Sequence, residues 1–228
     1  MDERFSRMEK LVSPEQMSRL PDAHVLVFGI GGVGGALCEA LVRAGVGAIT
    51  IVDNDRVELS NINRQLIALQ STLGQPKVEV MRSRILDINP ACNVTVRQEF
   101  FLPENADTYD FSQYDYVADA VDTVTAKIEI IARAKMAGVP VISAMGTGNK
   151  LDATKLMVSD LFKTDGCPLA RVMRSGCRKR GLTDIKVVYS TEPPVKTESA
   201  TPSSISYVPP VAGYMMAGEI LRDLMGIS

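Results

Sequence analysis

The sequence predicts an α/β fold built on a doubly wound, mostly parallel sheet, with an appended, partly antiparallel C-terminal portion. The first observation is HVLVFG at 24–29, a continuous β-rich run that ends in glycine. The stretch ALCEALVRAGV then has the apolar spacing of a helix, and AITIVDND at 48–55 indicates a second buried strand. A strand, glycine turn, helix and strand in this order form a βαβ unit, and uninterrupted apolar runs are typical of parallel strands covered on both faces.

The same alternation continues to about residue 148. A short helix is predicted over Asn61–Gln70, and PKVEVMRSRILDINP is typical of a helix that has Pro76 in its first turn and stops before Pro90. Three further strands are predicted, with a helix at Thr125–Ala137 before the last: NVTVRQEF, YDYVADAV and VPVISAMG. We therefore expect a Rossmann-like sheet whose functional site lies at the carboxyl ends of its strands.

The alternation fades beyond Gly148. We interpret LMVSDL and DIKVVYS as strands of a second, partly antiparallel layer, and PVAGYMMAGEILRDLM as an amphipathic closing helix. Residues 191–204, TEPPVKTESATPSS, are rich in proline, serine and threonine. This composition predicts a mobile loop.

The composition is that of an ordinary globular protein. The 228 residues carry a formal net charge of −2, so contacts with nucleic acid or an anionic membrane must be local. The N-terminal MDERFSRMEKLV is not a signal peptide, and the apolar stretch Val208–Ala217 is broken by two prolines and is too short to span a bilayer. The four cysteines form no C-x-x-C pair, which favours free thiols in a reducing cytoplasm.

The glycines after the first strand match a nucleotide-binding fingerprint. Gly29-x-Gly31-x-x-Gly34 lets backbone N–H groups approach a phosphate at a helix N-terminus, and Asp53 lies where a ribose-binding acid belongs. The same residues could instead form a tight turn that packs a helix on a strand. The fingerprint alone leaves both NAD and ATP open as ligands.

The charged residues downstream separate these two ligands. A dinucleotide pyrophosphate carries about two negative charges, which N–H groups and a helix dipole accommodate, whereas ATP carries nearly four. Asn61, Arg64, Lys77 and Asp122 would supply an amide, two cations for phosphates and a carboxylate for Mg²⁺. A hydride-transfer enzyme does not need that set, so the sequence favours ATP with Mg²⁺.

Five motifs over about residues 4–150 resemble the ubiquitin-activating-type adenylating enzymes, which include the activators of the molybdopterin and thiamine sulfur carriers. The motifs are G-x-G-G-x-G, V-D-x-D, S-N-x-x-R-Q, G-x-x-K and D-A-x-D-T. Four later stretches resemble one branch, the tRNA threonylcarbamoyladenosine dehydratases: MGTGNKLD, CPLARVMR, KVVYS-x-EPP and SISYVPPVAG. That family uses ATP to close the threonylcarbamoyl group of a modified adenosine, next to the anticodon, into a ring.

The resemblance implies a role for each matching residue. It implies that Arg7, Arg64, Lys77 and Asp122 are catalytic, that Asp122 carries Mg²⁺, and that Arg7 reaches into the partner subunit's site in a homodimer. The nucleotide would contact Gly29, Gly31, Gly32, Gly34, Asp53, Asp55, Ser60, Asn61, Arg64, Lys77, Asp122 and Thr123. Residues 1–150 would be the ATP-binding adenylating domain and 151–228 a C-terminal lobe for substrate and dimer contacts, and we expect the two to form one continuous structural unit.

A basic segment near residue 175 is the candidate surface for RNA. Arg171, Arg174 and Arg178 recur at i, i+3 and i+7, which places them on one face of a helix. A solvated helix face explains these residues as well as a phosphate-binding patch does. The resemblance favours tRNA as the partner.

Other functions explain fewer of these residues. A sulfur-carrier activator should show two zinc-binding C-x-x-C pairs, an NAD(P) oxidoreductase leaves Arg64 and Lys77 unexplained, and a non-catalytic nucleotide-binding protein would be expected to lose one of the charged residues. Cys167 and Cys177 are interpreted as ordinary thiols, and a cysteine desulfurase or a sulfur acceptor protein stays open as a further partner. His24, the only histidine, is interpreted as structural, which argues against a serine- or cysteine-histidine hydrolase.

Overall fold

The computed structural model describes residues 2–198 and 202–227. The strands are β1 (His24–Phe28), β2 (Ala48–Val52), β3 (Asn93–Arg97), β4 (Tyr116–Asp119), β5 (Val141–Ala144), β6 (Leu156–Asp160) and β7 (Lys186–Ser190). The α-helices are α1 (Pro14–Ser18), α2 (Gly32–Arg43), α3 (Lys77–Ile88), α4 (Val124–Met136), α5 (Pro168–Lys179) and α6 (Val208–Met225). Short 3-10 helices occur at Glu3–Phe5, Met8–Lys10, Leu59–Asn61, Gln70–Thr72, Pro103–Thr108, Phe111–Gln113, Ala153–Lys155 and Leu161–Lys163.

All seven strands form one sheet in the order β3-β2-β1-β4-β5-β7-β6. Each neighbouring pair is parallel except β6 and β7. The mostly parallel α/β fold predicted from the sequence is therefore confirmed. The predicted second layer is wrong, because β7 pairs with the free edge of β5 and brings β6 into the same sheet.

Two hydrophobic cores cover the two faces of the sheet. Along β1, Val25 and Val27 pack into the core that contains α2, α3 and α6, whereas Leu26 and Phe28 pack into the core that contains α4 and α5. This alternation follows from the two-residue period of a strand, and it explains why β1 is apolar from Val25 to Phe28. Helix α6 packs closely on α2, since a β-carbon at Gly213 would lie 2.2 Å from the Val33 carbonyl oxygen.

The predicted helix over Asn61–Gln70 is not formed. Only a 3-10 turn ends at Asn61, and another begins at Gln70. The Thr72 hydroxyl donates to the Ile67 carbonyl at 2.7 Å and accepts from the Leu69 N–H at 2.9 Å. The side chain thus takes the backbone groups that a continued helix would pair, a competition typical of threonine.

The predicted mobile loop over 191–204 falls partly outside the described residues, which exclude 199–201. Its described ends are held by hydrogen bonds: the Ser203 N–H donates to Asn149 Oδ1 at 2.7 Å, and Asn63 Nδ2 donates to the Ser204 carbonyl at 2.8 Å. The division at residue 150 stays a prediction. No helix in the described parts of the chain is long and apolar enough to cross a membrane.

Candidate nucleotide-binding site

A crevice of about 450 Å³ opens at the carboxyl ends of β1 to β4. The chain runs from β1 outward to β2 and β3, and then returns to place β4 on the other side of β1. Ligands of open α/β sheets bind at this switch point, because the loops leave the two central strands in opposite directions. The crevice walls come from the chain just after each of these four strands and from the segment between β2 and α3.

The glycine turn after β1 is shaped by close backbone contacts. Gly29 has φ +86°, and a β-carbon there would lie 2.7 Å from the Ala120 carbonyl oxygen. A β-carbon at Gly34 would lie 1.7 Å from the Gly29 carbonyl oxygen, so both positions exclude a side chain. These two glycines therefore let α2 start directly against the turn and against the loop after β4.

The start of α2 presents unpaired backbone donors to the crevice. Four consecutive N–H groups find no acceptor among the described residues: those of Gly31, Gly32, Val33 and Gly34. Such groups lie at the positive end of the helix dipole and together form an anion site. Gly31 and Gly32 line the crevice, whereas Gly34 does not.

Asp53 connects β2 to the glycine turn. Its Oδ2 atom accepts the Ile30 N–H at 2.6 Å, and its Oδ1 atom accepts the Asp55 N–H at 2.8 Å. Both Asp53 and Asp55 line the crevice. A carboxylate oxygen has two lone pairs, so Asp53 retains acceptor capacity for a ligand hydroxyl.

Two cations lie on the crevice wall. Lys77 begins α3, and its Nζ atom lies 2.7 Å from Asp55 Oδ2, with the lysine side chain only 7% exposed. Arg64 Nη1 donates to the Ser60 carbonyl and to Asn63 Oδ1, both at 2.9 Å. The other guanidinium N–H groups of Arg64 have no acceptor among the described residues, so the side chain is oriented while most of its donors are free.

The remaining predicted contacts divide into two groups. Asn61 is buried and lines the crevice, and its Oδ1 atom accepts the Glu58 N–H at 3.1 Å. Ser60 does not line the crevice, and its carbonyl oxygen instead orients Arg64. Of the predicted set, Ser60 and Gly34 are thus placed behind the wall.

The loop after β4 supplies a carboxylate. Asp122 is exposed on the wall, and the Thr123 hydroxyl lies 3.5 Å from its Oδ1 atom. The described residues contain no group of three histidines, cysteines or acids that could hold a metal ion. A single carboxylate beside an anion cradle fits Mg²⁺, which typically takes one or two carboxylates together with phosphate oxygens and water.

Arg7 lies away from the crevice of its own chain. The nearby Phe5 ring lies 3.5 Å from where a β-carbon of Gly45 would stand, and Gly45 follows the end of α2 opposite the glycine turn. The twelve residues of α2 span about 18 Å. Arg7 is exposed and has no ion pair or hydrogen bond within the described ranges.

The three basic residues of α5 differ in their surroundings. Arg171 is exposed, and Arg178 is exposed with its guanidinium carbon 5.4 Å from the centre of the Phe162 ring. Arg174 is half-buried, and its Nη1 atom donates to the Thr164 carbonyl at 2.9 Å. Arg174 therefore secures the segment before α5, and two of the three arginines keep free guanidinium donors.

The side chains set aside on sequence grounds are all enclosed. The four cysteines are free and buried, and burial raises the pKa of the Cys177 thiol to about 11, which leaves it unreactive at neutral pH. His24 Nε2 lies 2.9 Å from Thr50 Oγ1 at the opposite end of the sheet from the crevice. These contacts support structural roles for Cys177 and His24.

Sequence reasoning missed several crevice residues. Gln65 is 6% exposed, and its Oε1 atom is the one buried side-chain oxygen or nitrogen without a partner in the described chain. Its Nε2 atom lies 3.8 Å from where a β-carbon of Gly31 would stand. The available signal was its position next to Arg64 in S-N-x-x-R-Q. Phe100 and Phe101 line the far end of the crevice, and their signal was their place just after β3.

Comparisons with known proteins show the family of this chain. The tRNA threonylcarbamoyladenosine dehydratase of Bacillus subtilis is 39% identical over 97% of this chain and 94% of its own length. The enzyme of the same name from Escherichia coli is 39% identical over 86% of this chain and 76% of its own length. A crystal structure of the Escherichia coli enzyme, in complex with ATP, superposes with a TM-score of 0.92 at 36% identity, covering 98% of this chain and 94% of that one. The ThiF family model matches residues 5–228, and the chain therefore belongs to the ThiF family.

Proposed function

We propose that this protein is a tRNA threonylcarbamoyladenosine dehydratase, which uses ATP to activate a carboxylate and then close a ring on tRNA. The observation that carries the proposal is the crevice at the β1/β4 switch point, where Gly31 and Gly32, whose N–H groups are free within the described chain, share the lining with two cations and a carboxylate. Similarity to named dehydratases along nearly the whole chain supports the same function.

ATP fits the crevice in one direction. The N–H groups at the start of α2 and the side chains of Arg64, Lys77 and Asn61 would hold the triphosphate, and Asp53 would accept a ribose hydroxyl. Adenine would then lie near Phe100 and Phe101, where the crevice is lined by aromatic side chains. Gly29, Gly31, Gly32 and Gly34 shape the turn that makes this approach possible.

Asp122, with Thr123 beside it, would hold Mg²⁺ against the phosphate oxygens. When bound, the metal ion would neutralise negative charge on the triphosphate and on the departing pyrophosphate. Lys77 and Arg64 stabilise the same charge from the opposite wall. Cationic side chains and N–H donors of the chain would thus surround the reacting α-phosphate.

The reaction proceeds in two steps. A threonyl carboxylate oxygen attacks the α-phosphorus of ATP, and the bond from that phosphorus to the oxygen bridging the α- and β-phosphates breaks. Pyrophosphate departs, and the product is an acyl-adenylate. A nitrogen or oxygen of the same substrate then attacks the activated carbonyl, AMP departs, and the ring closes with the net loss of one water. Because the second nucleophile belongs to the same molecule, proximity supplies much of the rate and no nucleophile of the protein is needed.

Arg7 would act in the partner's site of a homodimer. Its position near the end of α2 away from the glycine turn is unsuitable for its own crevice, and a two-fold axis would present it equally to both sites. A guanidinium added to the α-phosphate stabilises the charge that develops there, as arginine fingers do in phosphoryl transfer.

Subunit mixing tests this arrangement. Arg7→Ala and Asp122→Ala chains, each inactive alone, are mixed under conditions that exchange subunits. If Arg7 acts in the partner's site, about half the dimers are mixed and each has one intact site, so roughly a quarter of wild-type activity returns. No recovery after confirmed exchange rules out the shared site.

The tRNA would bind across α5, where Arg171 and Arg178 keep free guanidinium donors and Arg174 orders the segment before the helix. This function places the protein in the cytoplasm. The proposal extends to a cysteine desulfurase or a sulfur acceptor protein as a further partner, and sulfur-transfer assays would test for it.

The decisive experiment incubates the protein with ATP and bulk tRNA, followed by mass spectrometry of the nucleosides. We expect threonylcarbamoyladenosine to lose the mass of one water, with no change when ATP is omitted. If a ubiquitin-like sulfur-carrier protein supports exchange of pyrophosphate into ATP and tRNA does not, the alternative activity as a sulfur-carrier activator replaces this proposal. Tight NAD binding with no measurable ATP binding would contradict both.

A further inference from the structure

A fully buried ion pair lies directly beneath the loop that carries Asp122. Lys127 Nζ in α4 is 2.8 Å from Asp119 Oδ2 at the end of β4, and both side chains are 0% exposed. Removing two charges from water is costly, and apolar residues of similar volume often stabilise a protein as well or better. The stability of the fold therefore does not explain why this pair is here.

The pair binds the backbone of the loop as well as itself. Lys127 Nζ donates to the Val121 carbonyl at 3.1 Å, and the Val121 N–H donates to Asp119 Oδ1 at 3.2 Å. The Ser143 hydroxyl on β5 donates to Asp119 Oδ2 at 2.5 Å. Both backbone groups of the residue before Asp122 are thus fixed by one charged network. Apolar side chains could fill the same space, but they could not make these hydrogen bonds.

The same loop closes one side of the crevice. Ala120 approaches the glycine turn so closely that its carbonyl oxygen excludes a β-carbon at Gly29. Val121, Asp122 and Thr123 all line the crevice. A displacement of Val121 would therefore change the distance between the Asp122 carboxylate and the N–H groups that receive the phosphates.

We propose that Asp119, Lys127 and Ser143 are positioning residues that hold Asp122 at the place where it binds the Mg²⁺ of Mg·ATP. The inference rests on the proposed function in one respect, the role of Asp122. None of the three residues lines the crevice. Residues that orient a metal ligand typically change metal affinity or activity by 10- to 100-fold when they are removed.

Ser143→Ala is the mildest test, because it removes one donor and leaves the ion pair intact. Tyr116→Phe is its matched control. Tyr116 lies at the other end of β4, is 1% exposed, and donates its hydroxyl to Asp223 Oδ2 at 2.7 Å. Each substitution deletes one hydrogen bond from the hydroxyl of a buried residue to a carboxylate, so we expect similar decreases in melting temperature from the two variants.

The measurement is ATP binding by calorimetry as a function of Mg²⁺ concentration, together with the melting temperature. Ser143→Ala should raise the Mg²⁺ concentration for half-maximal tightening of ATP binding about tenfold and leave ATP affinity without Mg²⁺ unchanged. Tyr116→Phe should leave both quantities at the wild-type value. The double variant Asp119→Asn with Lys127→Met, which removes both charges together, should show a larger shift than Ser143→Ala.

A lowered melting temperature with wild-type Mg²⁺ dependence in both the Ser143→Ala and the double variant would overturn the proposal. Equal shifts in Ser143→Ala and Tyr116→Phe would overturn it as well, because the effect would then reflect general destabilisation. Failure of the proposed function is distinguishable, since the wild-type protein would then form no dehydrated nucleoside although Mg·ATP binding could still be measured.

Discussion

Polar groups at the amino ends of the strands are paired with one another, whereas several at the carboxyl ends have no partner in the part of the chain that the structure describes. At the amino ends, Tyr116 and Lys186 Nζ both bind the Asp223 carboxylate, at 2.7 and 2.6 Å, and His24 binds Thr50 at 2.9 Å. At the carboxyl ends, four N–H groups of α2 have no acceptor among the described residues, and the Gln65 amide oxygen is buried without a partner. The first end is complete in itself, whereas the second lacks partners that a ligand can supply.

The direction of the chain produces this difference. In a parallel sheet each crossover helix begins near the carboxyl ends of the strands, so its free N–H groups collect at that end. We therefore expect substitutions of crevice-lining side chains at the carboxyl ends to change ligand binding and turnover with little loss of stability. Substitutions at the amino ends should do the reverse.

The largest expected effect is at the triphosphate. Lys77→Ala and Asp122→Ala should each lower turnover by at least about 10²- to 10³-fold, because each removes charge that stabilises the departing pyrophosphate. Asp122 is exposed. Lys77→Ala breaks the ion pair with Asp55, but the Asp55 side chain is 57% exposed and is solvated without its partner, so melting temperatures should change little in both variants. Steady-state kinetics with tRNA and thermal unfolding check the two halves of this prediction. Near-normal turnover in either variant would show that the triphosphate lies elsewhere.

A smaller effect is expected on α5, which tests whether a surface outside both strand ends contributes to binding. Arg171→Glu with Arg178→Glu should weaken tRNA binding by about tenfold or more and flatten its salt dependence, because phosphate contacts release counterions. ATP affinity should not change. Arg174→Glu should in addition lower the melting temperature, since it breaks the hydrogen bond to Thr164. Unchanged tRNA affinity in the double variant would show that the basic face of α5 is a solvated surface that does not bind tRNA.

Gln65→Leu should separate binding from stability within the crevice. The substitution removes a buried amide oxygen that has no partner in the described chain, so the melting temperature of the free protein should stay the same or rise. ATP affinity should fall by about tenfold, because the Gln65 Nε2 group near Gly31 would donate to a phosphate oxygen. Calorimetry and thermal unfolding provide the two readouts. A lower melting temperature with normal ATP affinity would mean that the amide belongs to the fold alone.

The smallest expected effect is at the amino ends. Burial lowers the pKa of His24 below its ordinary value of 6.5, so protonation favours the unfolded chain. This contribution to stability is complete above pH 6.5 and is lost as the pH falls from there towards the folded pKa. The melting temperature of the wild type should therefore fall more between pH 7.5 and 5.5 than that of His24→Gln, while ATP binding by the two proteins stays alike. Equal decreases in melting temperature would contradict the shift.

Most of the fold could be predicted from sequence, since β1 to β5 and the long helices have clear periodicity. The place of β6 and β7 in the sheet could not be predicted. The pattern of apolar and polar residues indicates which face of a strand is buried, but it does not indicate which neighbouring strand it pairs with. The site motifs placed Arg64, Lys77 and Asp122 on one crevice. The buried ion pair of Lys127 and Asp119 could not be predicted. A charged residue in a sequence indicates an exposed position, and only the tertiary structure shows that these two are paired in the interior.

The close packing of α6 on α2 has a consequence for protein synthesis. The helix that offers its N–H groups to the phosphates spans Gly32–Arg43, and its long contact is with Val208–Met225, a helix that is translated much later. Pro209 approaches Gly32 itself, at 3.0 Å from where a β-carbon of that glycine would stand. A ribosome-bound chain that has not yet released α6 therefore lacks the support behind its nucleotide loop, and we expect it to bind ATP only after α6 has emerged.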